Sequence, residues 1–251
     1  DIARMSLANE NVLFCLLGIN AELLIDHAWG REPVTMDLVK AYRPESSSLG
    51  TGQVLTEAYT TEKAEIVAME MAESLALDLF GKHLVTEQLV LTIGYDVENL
   101  KNKELRDSYD GEIVVDRFGR KAPKHAHGTV CLGRQTSSAR LITEAVRKLF
   151  GRIARPGLLI RRINLTAGKV MHESLAGKET MPLQLNLFVD YDTLRRQRRQ
   201  EEAELAKERR LMAATLALKR KFGKNALLKG LDYAEGATTR IRNTQIGGHK
   251  A

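Results

Sequence analysis

Three short stretches carry residue types able to do chemistry. Asp190-Tyr191-Asp192 sets two carboxylates two positions apart, the donor type that holds Mg²⁺ in phosphoryl transfer. That chemistry clamps two ions about 4 Å apart, and no acidic partner strand flanks this pair. His125-Ala126-His127 offers two imidazoles in a polar loop, fewer than a zinc site requires. Phe222-Gly223-Lys224-Asn225 lacks the upstream glycine and the Ser or Thr that complete a phosphate loop. Cys15 falls in an apolar helical run and Cys131 in a strand, so both are expected to be buried as small hydrophobes. No acid–base pair or nucleophile can be assembled. The chain is therefore expected to carry no catalytic residue, no metal site and no cofactor.

Composition and charge point to binding. With 251 residues, 43% of them apolar, the chain can bury a proper core. Its apolar runs, such as Val12 to Leu17, are far too short to span a bilayer, so no membrane partner is expected. Two cysteines make no disulfide framework, and a reduced, intracellular setting is the default. The chain opens on Asp1-Ile2-Ala3-Arg4, without Met or a signal-peptide pattern, and is read as a cut inside a longer protein. Residues 191–251 hold 15 Lys or Arg against 7 Asp or Glu, whereas the rest holds 23 against 25. A basic tail on a near-neutral body is a footprint of nucleic-acid binding, and equally of a solvated mixed-charge helix.

The elements that must position these charges can be read from spacing. Residues 1–42 read as short helices, with Leu17-Gly18-Ile19-Asn20 as an ordinary helix connection or a turn resembling that of a helix–hairpin–helix. Arg43-Pro44-Glu45-Ser46-Ser47-Ser48 is a linker. Leu49 to Leu55 reads as a Gly-containing strand. Thr61 to Phe80 is a helix with Ala64, Val67, Ala68, Met71, Leu75 and Leu79 on one stripe, closed by Gly81. Gln88 to Asp96 alternates with Leu89, Leu91, Ile93 and Tyr95 on one face. Residues 97–128 form a long polar excursion, a hairpin or a mobile loop. A strand near Thr129 to Gln135, a helix from Ser137 to Arg152 capped by Thr136 or Ser137, and a strand from Leu158 to Thr166 follow. Alternation in that last strand sets Arg161 with Leu159, Ile163 and Leu165, and Arg162 with Asn164 and Thr166 on the opposite face. The order strand–helix–strand–strand–helix–strand predicts an α+β, ferredoxin-like βαββαβ sheet with two helices on one face and the other free. An extended segment near Met181 to Val189, a charged helix from Tyr191 to Phe222 and a Gly-rich polar tail complete the chain.

Three features together resemble the bacterial UV-resistance branch of the Y-family (translesion) DNA polymerases. One is the βαββαβ order after a small helical segment, as a thumb precedes a little finger. Another is Gln184-Leu185-Asn186-Leu187-Phe188, similar to the Gln-Leu-x-Leu-Phe peptide that bacterial polymerases insert into the sliding clamp. The last is the run Lys221 to Gly230 followed by Glu235-Gly236-Ala237-Thr238-Thr239 and Ile246-Gly247-Gly248-His249-Lys250, similar to the ending of that branch in Gram-positive bacteria. The palm carboxylates of the family match nothing here.

The resemblance implies a partial thumb at 1–44, a little finger at 45–171, a linker with the clamp peptide at 172–190 and a basic helix and tail at 191–251. It implies a DNA-gripping, clamp-docking part of an error-prone lesion-bypass polymerase of the SOS response. Nucleotidyl transfer and Mg²⁺ would belong to the palm of the parent, and the setting would be cytoplasmic at the nucleoid. The partners would be damaged or primed DNA and the sliding clamp. The DNA-contacting set is Ser47, Ser48, Gly50, Thr51, Arg134, Gln135, Thr136, Ser137, Arg161, Arg162 and Asn164, with Arg162 favoured over Arg161 on the DNA side. Gln184, Leu185, Leu187 and Phe188 would enter the clamp. The competing reading is a stand-alone nucleic-acid-binding accessory protein with a ferredoxin-like sheet.

Overall fold

The computed structural model describes residues 1–42, 47–115, 119–176, 191–246 and 249–250. Two units are present, Asp1–Glu45 and Ser46–Ala251. The first holds four short helices: α1 (Ile2–Ala8), α2 (Glu10–Leu17), α3 (Asn20–Ala28) and α4 (Met36–Ala41). Gly18 joins α2 to α3 at φ +58, a left-handed conformation that a side chain would strain. Trp29 Nε1 donates to Ser6 Oγ, tying the end of α3 to α1. Leu13 and Ala21 are buried there, and Cys15, expected to be buried, is exposed on the outer side of α2.

The second unit is built on β1 (Leu49–Tyr59), α5 (Thr61–Gly81), β2 (Leu84–Tyr95), β5 (Ala126–Thr136), α7 (Ala139–Ile153) and β6 (Ile160–Gly168). These strands form one antiparallel sheet in the order β1-β6-β2-β5, and β7 (Met171–His172) pairs with the start of β2. Each helix therefore connects two strands that have a strand of the other half between them, but the order departs from the expected ferredoxin-like one: the first strand of the repeat, β1, lies at an edge and the fourth, β6, lies inside. Both helices lie on the face that presents Leu89, Leu91, Ile93, Ile163 and Leu165, all fully buried.

Several boundaries differ from the expected ones. The excursion after β2 is structured: a 3₁₀ turn at Val97–Leu100, helix α6 (Lys103–Ser108) and a hairpin of β3 (Ile113–Val115) with β4 (Lys121–Pro123). The buried Asn99 anchors the turn. Its amide donates to Leu159 O at 2.8 Å and its Oδ1 accepts from Leu159 N at 2.8 Å, as a strand neighbour would. His127, assigned to a loop, is in β5 and meets Thr92 across the ladder. Helix α7 is capped by Ser138, because Thr136 is still paired to Thr86 and its Oγ1 accepts from Ser138 N. Gly81 is the last helical residue of α5 and does not cap it; the left-handed residue is His83. A Cβ at Gly81 would stand 3.2 Å from Leu216 Cδ2, so close packing is what the glycine serves.

Leu216 belongs to α8 (Tyr191–Phe222), which packs on α5 and buries Met212 in the core. Past α8 the chain returns to α5 and β1. Glu70, a buried carboxylate of α5, accepts from Thr238 N, Thr238 Oγ1 and Thr239 N at 2.8, 3.0 and 3.1 Å. Lys229 pairs with Glu73 and Lys63 with Glu235. Helix α9 (Thr239–Arg242) and the pair β8 (Gln245–Ile246) and β9 (His249–Lys250) follow.

Candidate nucleic-acid interface

Alternation on the paired strands decides which side chains reach the uncovered face of the sheet. Gly50, Gly52 and Val54 of β1 stand opposite Thr166, Asn164 and Arg162 of β6, which in turn face Val90, Thr92 and Gly94 of β2. His127, Thr129 and Cys131 continue the face on β5. Cys131 is thus exposed, where burial was expected, because it alternates with Val130 on the helix side.

The face is lined largely by glycine, threonine and asparagine, with Val54, Val90, His127 and Arg162 as its larger side chains. A Cβ at Gly52 would lie 2.5 Å from Asn164 Oδ1, and one at Gly50 would lie 3.1 Å from Thr166 Oγ1. The polar side chains of β6 therefore lean toward the glycines of β1, which have no side chain of their own to displace them and remain exposed. Small residues that let a backbone approach closely suit contact with phosphates, which carry no sequence information.

Adjacent arginines of β6 have separate fates. Arg162 pairs with Gly94 in register, but Tyr95 pairs with Ile160, so β6 carries one extra residue, Arg161, at a bulge. The slip buries both Ile160 and Ile163 and corrects the expectation that Arg161 shares the core face with Leu159. Arg161 is instead drawn to the buried Asp96, with Nε 3.7 Å from Oδ2. Arg162 is exposed on the open face, beside Gly94, and makes no ion pair among the described residues.

The other members of the expected set are dispersed. Ser47 and Ser48 are exposed before β1, and Ser47 O accepts from Val170 N. Thr51 faces the helix side, paired with Leu165, and its Oγ1 accepts from Arg242 Nη2 at 2.8 Å. It is therefore engaged by the C-terminal segment and absent from the open face. Burial pushes the Arg242 guanidinium below its usual value, opposed by the charges of Glu70 and Asp78. Thr136 and Ser137 are buried at the end of β5 and offer no free surface. Gln135 Nε2 donates to Glu87, and Arg134 pairs with Glu201 of α8. A groove of about 1060 Å³ opens between β1, α5, α8 and the C-terminal segment. Glu73, Asp78, Lys219 and Lys229 line it with both signs, so it presents no one-signed track to a phosphate backbone.

Sequence reasoning missed Glu70, Asp96, Asn99, Glu201, Glu208 and Arg242. Of these, only Glu70 left a signal, as a carboxylate between the apolar Met69 and Met71 in the middle of a helix. The clamp-peptide residues Gln184, Leu185, Leu187 and Phe188 lie outside the described residues. Among the described residues, no group of three or more His, Cys, Asp or Glu could hold a metal, and no helix is long and apolar enough to cross a membrane.

Residues 46–187 match the family model of the impB/mucB/samB family C-terminal domain. A solved structure described as a complex of the β-clamp processivity factor and the little finger domain of PolIV is similar over 57% of this chain and 100% of that chain, at 12% identity and a TM-score of 0.32. No curated protein matches the sequence.

Proposed function

The chain belongs to the impB/mucB/samB family, as a C-terminal region of a Y-family polymerase, and from that premise we propose that it grips primed or damaged DNA and docks on a sliding clamp during lesion bypass. The observation that carries the DNA reading is the open face of its four-stranded antiparallel sheet. Gly50 and Gly52 lie under Thr166 and Asn164, and Arg162 projects from the same side with no partner among the described residues. Such a surface holds phosphates through backbone and one or two cations, with little reading of base edges. Ser47, Ser48 and Arg134 border it in this reading. Nucleotidyl transfer, with its Mg²⁺, belongs to a palm portion of the polymerase. The bacterial UV-resistance branch, the SOS response and a place at the nucleoid complete the proposal.

The second contact is Gln184-Leu185-Asn186-Leu187-Phe188. Its alternating apolar residues suit an extended peptide in a groove, with Leu187 and Phe188 as anchors and Gln184 bonded at the rim. Burying two such side chains contributes about 3–6 kcal/mol, which after association costs leaves a micromolar, releasable tether.

Both contacts are tested on the whole chain by fluorescence anisotropy. Affinity for a labelled primer–template should be nearly sequence-independent, and Arg162→Ala should flatten its log–log salt slope by about one. A salt-independent affinity, or an unchanged slope in the variant, overturns the assignment of the open face. Leu187→Ala with Phe188→Ala should abolish clamp binding and leave DNA binding intact. A double variant that still binds the clamp removes the peptide from the proposal.

A further inference from the structure

Helix α8 carries Glu201, Glu204 and Glu208 at spacings of three and four residues, which align them on one stripe. Each carboxylate meets a donor where β5 leads into α7. Glu201 pairs with Arg134. Glu204 Oε2 is 3.7 Å from Arg140 Nη2. Glu208 accepts from Ser138 Oγ at 2.6 Å through one oxygen and from Arg140 N at 2.8 Å through the other. Two guanidiniums, a hydroxyl and a backbone N–H in the first turn of a helix are the donors that hold a phosphodiester. Here the chain's own acids hold all of them.

The attachment of α8 also has two unlike halves. Toward its end it is fixed by apolar packing, Met212 in the core and Leu216 against Gly81, and by Arg209, which donates to Glu173 at 2.9 Å. Upstream of Lys207, among the described residues, its bonds to the body are those of Glu201 and Glu204, and Ala203, Ala206 and Lys207 are exposed. Exposed ion pairs are individually weak and salt-sensitive. A polyanion can displace such a stripe without unpacking the anchored end.

We infer that this stripe is an intramolecular phosphate mimic. Glu201, Glu204 and Glu208 hold Arg134, Arg140 and the start of α7 in the free protein, and DNA must displace them to use those donors. The contact sets a threshold on DNA binding and confines it to DNA presented at high local concentration, as at a tethered primer end. This inference rests on the DNA-binding reading above.

The test compares the full chain with the variant Glu201→Gln, Glu204→Gln, Glu208→Gln. Its control, Glu10→Gln, Glu57→Gln, Glu98→Gln, removes the same charge from exposed positions off helix α8. The stripe variant should bind primer–template about five- to tenfold more tightly than the control. Its salt slope should steepen by about two, because two freed guanidiniums reach phosphates. In the unmodified protein, hydrogen exchange of amides 201–208 should accelerate when DNA is added. Equal affinity and slope in variant and control, or amides that become more protected with DNA, overturn the inference and leave the DNA-binding reading standing. Failure of every form to bind DNA overturns that reading, and the inference with it.

Discussion

Two helices lie side by side on one face of the sheet, and they are covered very differently. In α7 the buried residues are Ile142, Val146, Leu149 and Phe150, one stripe on an otherwise solvated helix. In α5 burial extends to Met69, Glu70, Ala72 and Ala76, beyond the stripe that faces the sheet. The flank with Glu70 and Glu73 meets Thr238, Thr239 and Lys229, and Gly81 meets Leu216. An amphipathic pattern reports one covered side. A helix covered twice shows instead as small residues and a carboxylate whose partners lie more than 160 residues away.

The largest test of that contrast is truncation at each helix. Leu75→Ala in α5, 2% exposed, should lower unfolding free energy by about 2–5 kcal/mol in urea denaturation. Arg147→Ala on the outer side of α7 should change it by no more than about 0.5 kcal/mol. Equal effects would mean that the two helices are covered alike.

Next in size is the carboxylate. Glu70→Ala leaves the backbone N–H groups of Thr238 and Thr239 without their acceptor, and the Thr238 hydroxyl with Gln53 alone, which costs about 1–3 kcal/mol. Hydrogen exchange should then speed up at residues 225–244 and stay unchanged in α7. Unchanged protection there would detach the C-terminal segment from the stability of α5.

A smaller effect follows from pH. Hydrogen bonds from Arg209 and His83 hold the Glu173 carboxyl below its ordinary range. Its folded pKa is depressed, so its contribution is complete above the ordinary carboxylate range and fades as pH falls through the depressed value. Acid should loosen the Arg209 contact of α8 on that limb, seen as faster exchange near residue 209, and Glu173→Gln should remove the pH dependence. The smallest effect belongs to Gly81→Ala. Helix propensity favours alanine by about 0.5–1 kcal/mol, and Leu216 must give way by a few tenths of an ångström. A loss much above 1 kcal/mol would show that α8 cannot adjust its seat on α5.

What the sequence disclosed follows the same division. The stripe Ala64, Val67, Ala68, Met71, Leu75 and Leu79 and the alternation Leu89, Leu91, Ile93 and Tyr95 are all buried, because period and burial coincide wherever one partner covers one face. The bulge at Arg161 was invisible, since an extra residue changes face without changing composition. In the charged helix α8 Met212 makes the core contact while Leu211 is 66% exposed, a choice that residue type alone does not announce. Arg134 and Thr51 have types suited to DNA, but Glu201 and Arg242, distant in sequence, already hold them. Residue type names a capacity; only long-range packing says whether it is spent.

One contact has a consequence for self-association. β1 is an outer strand of the sheet, 11 residues long, with Val54 65% exposed. Long unguarded borders of this kind recruit strands from other molecules. Arg242 places its guanidinium against Thr51, Gln53 and the Gly52 carbonyl, a charged plug on that border. A chain stripped of residues 224–251 would present the border bare, and sedimentation should find it pairing edge to edge where the full chain stays single.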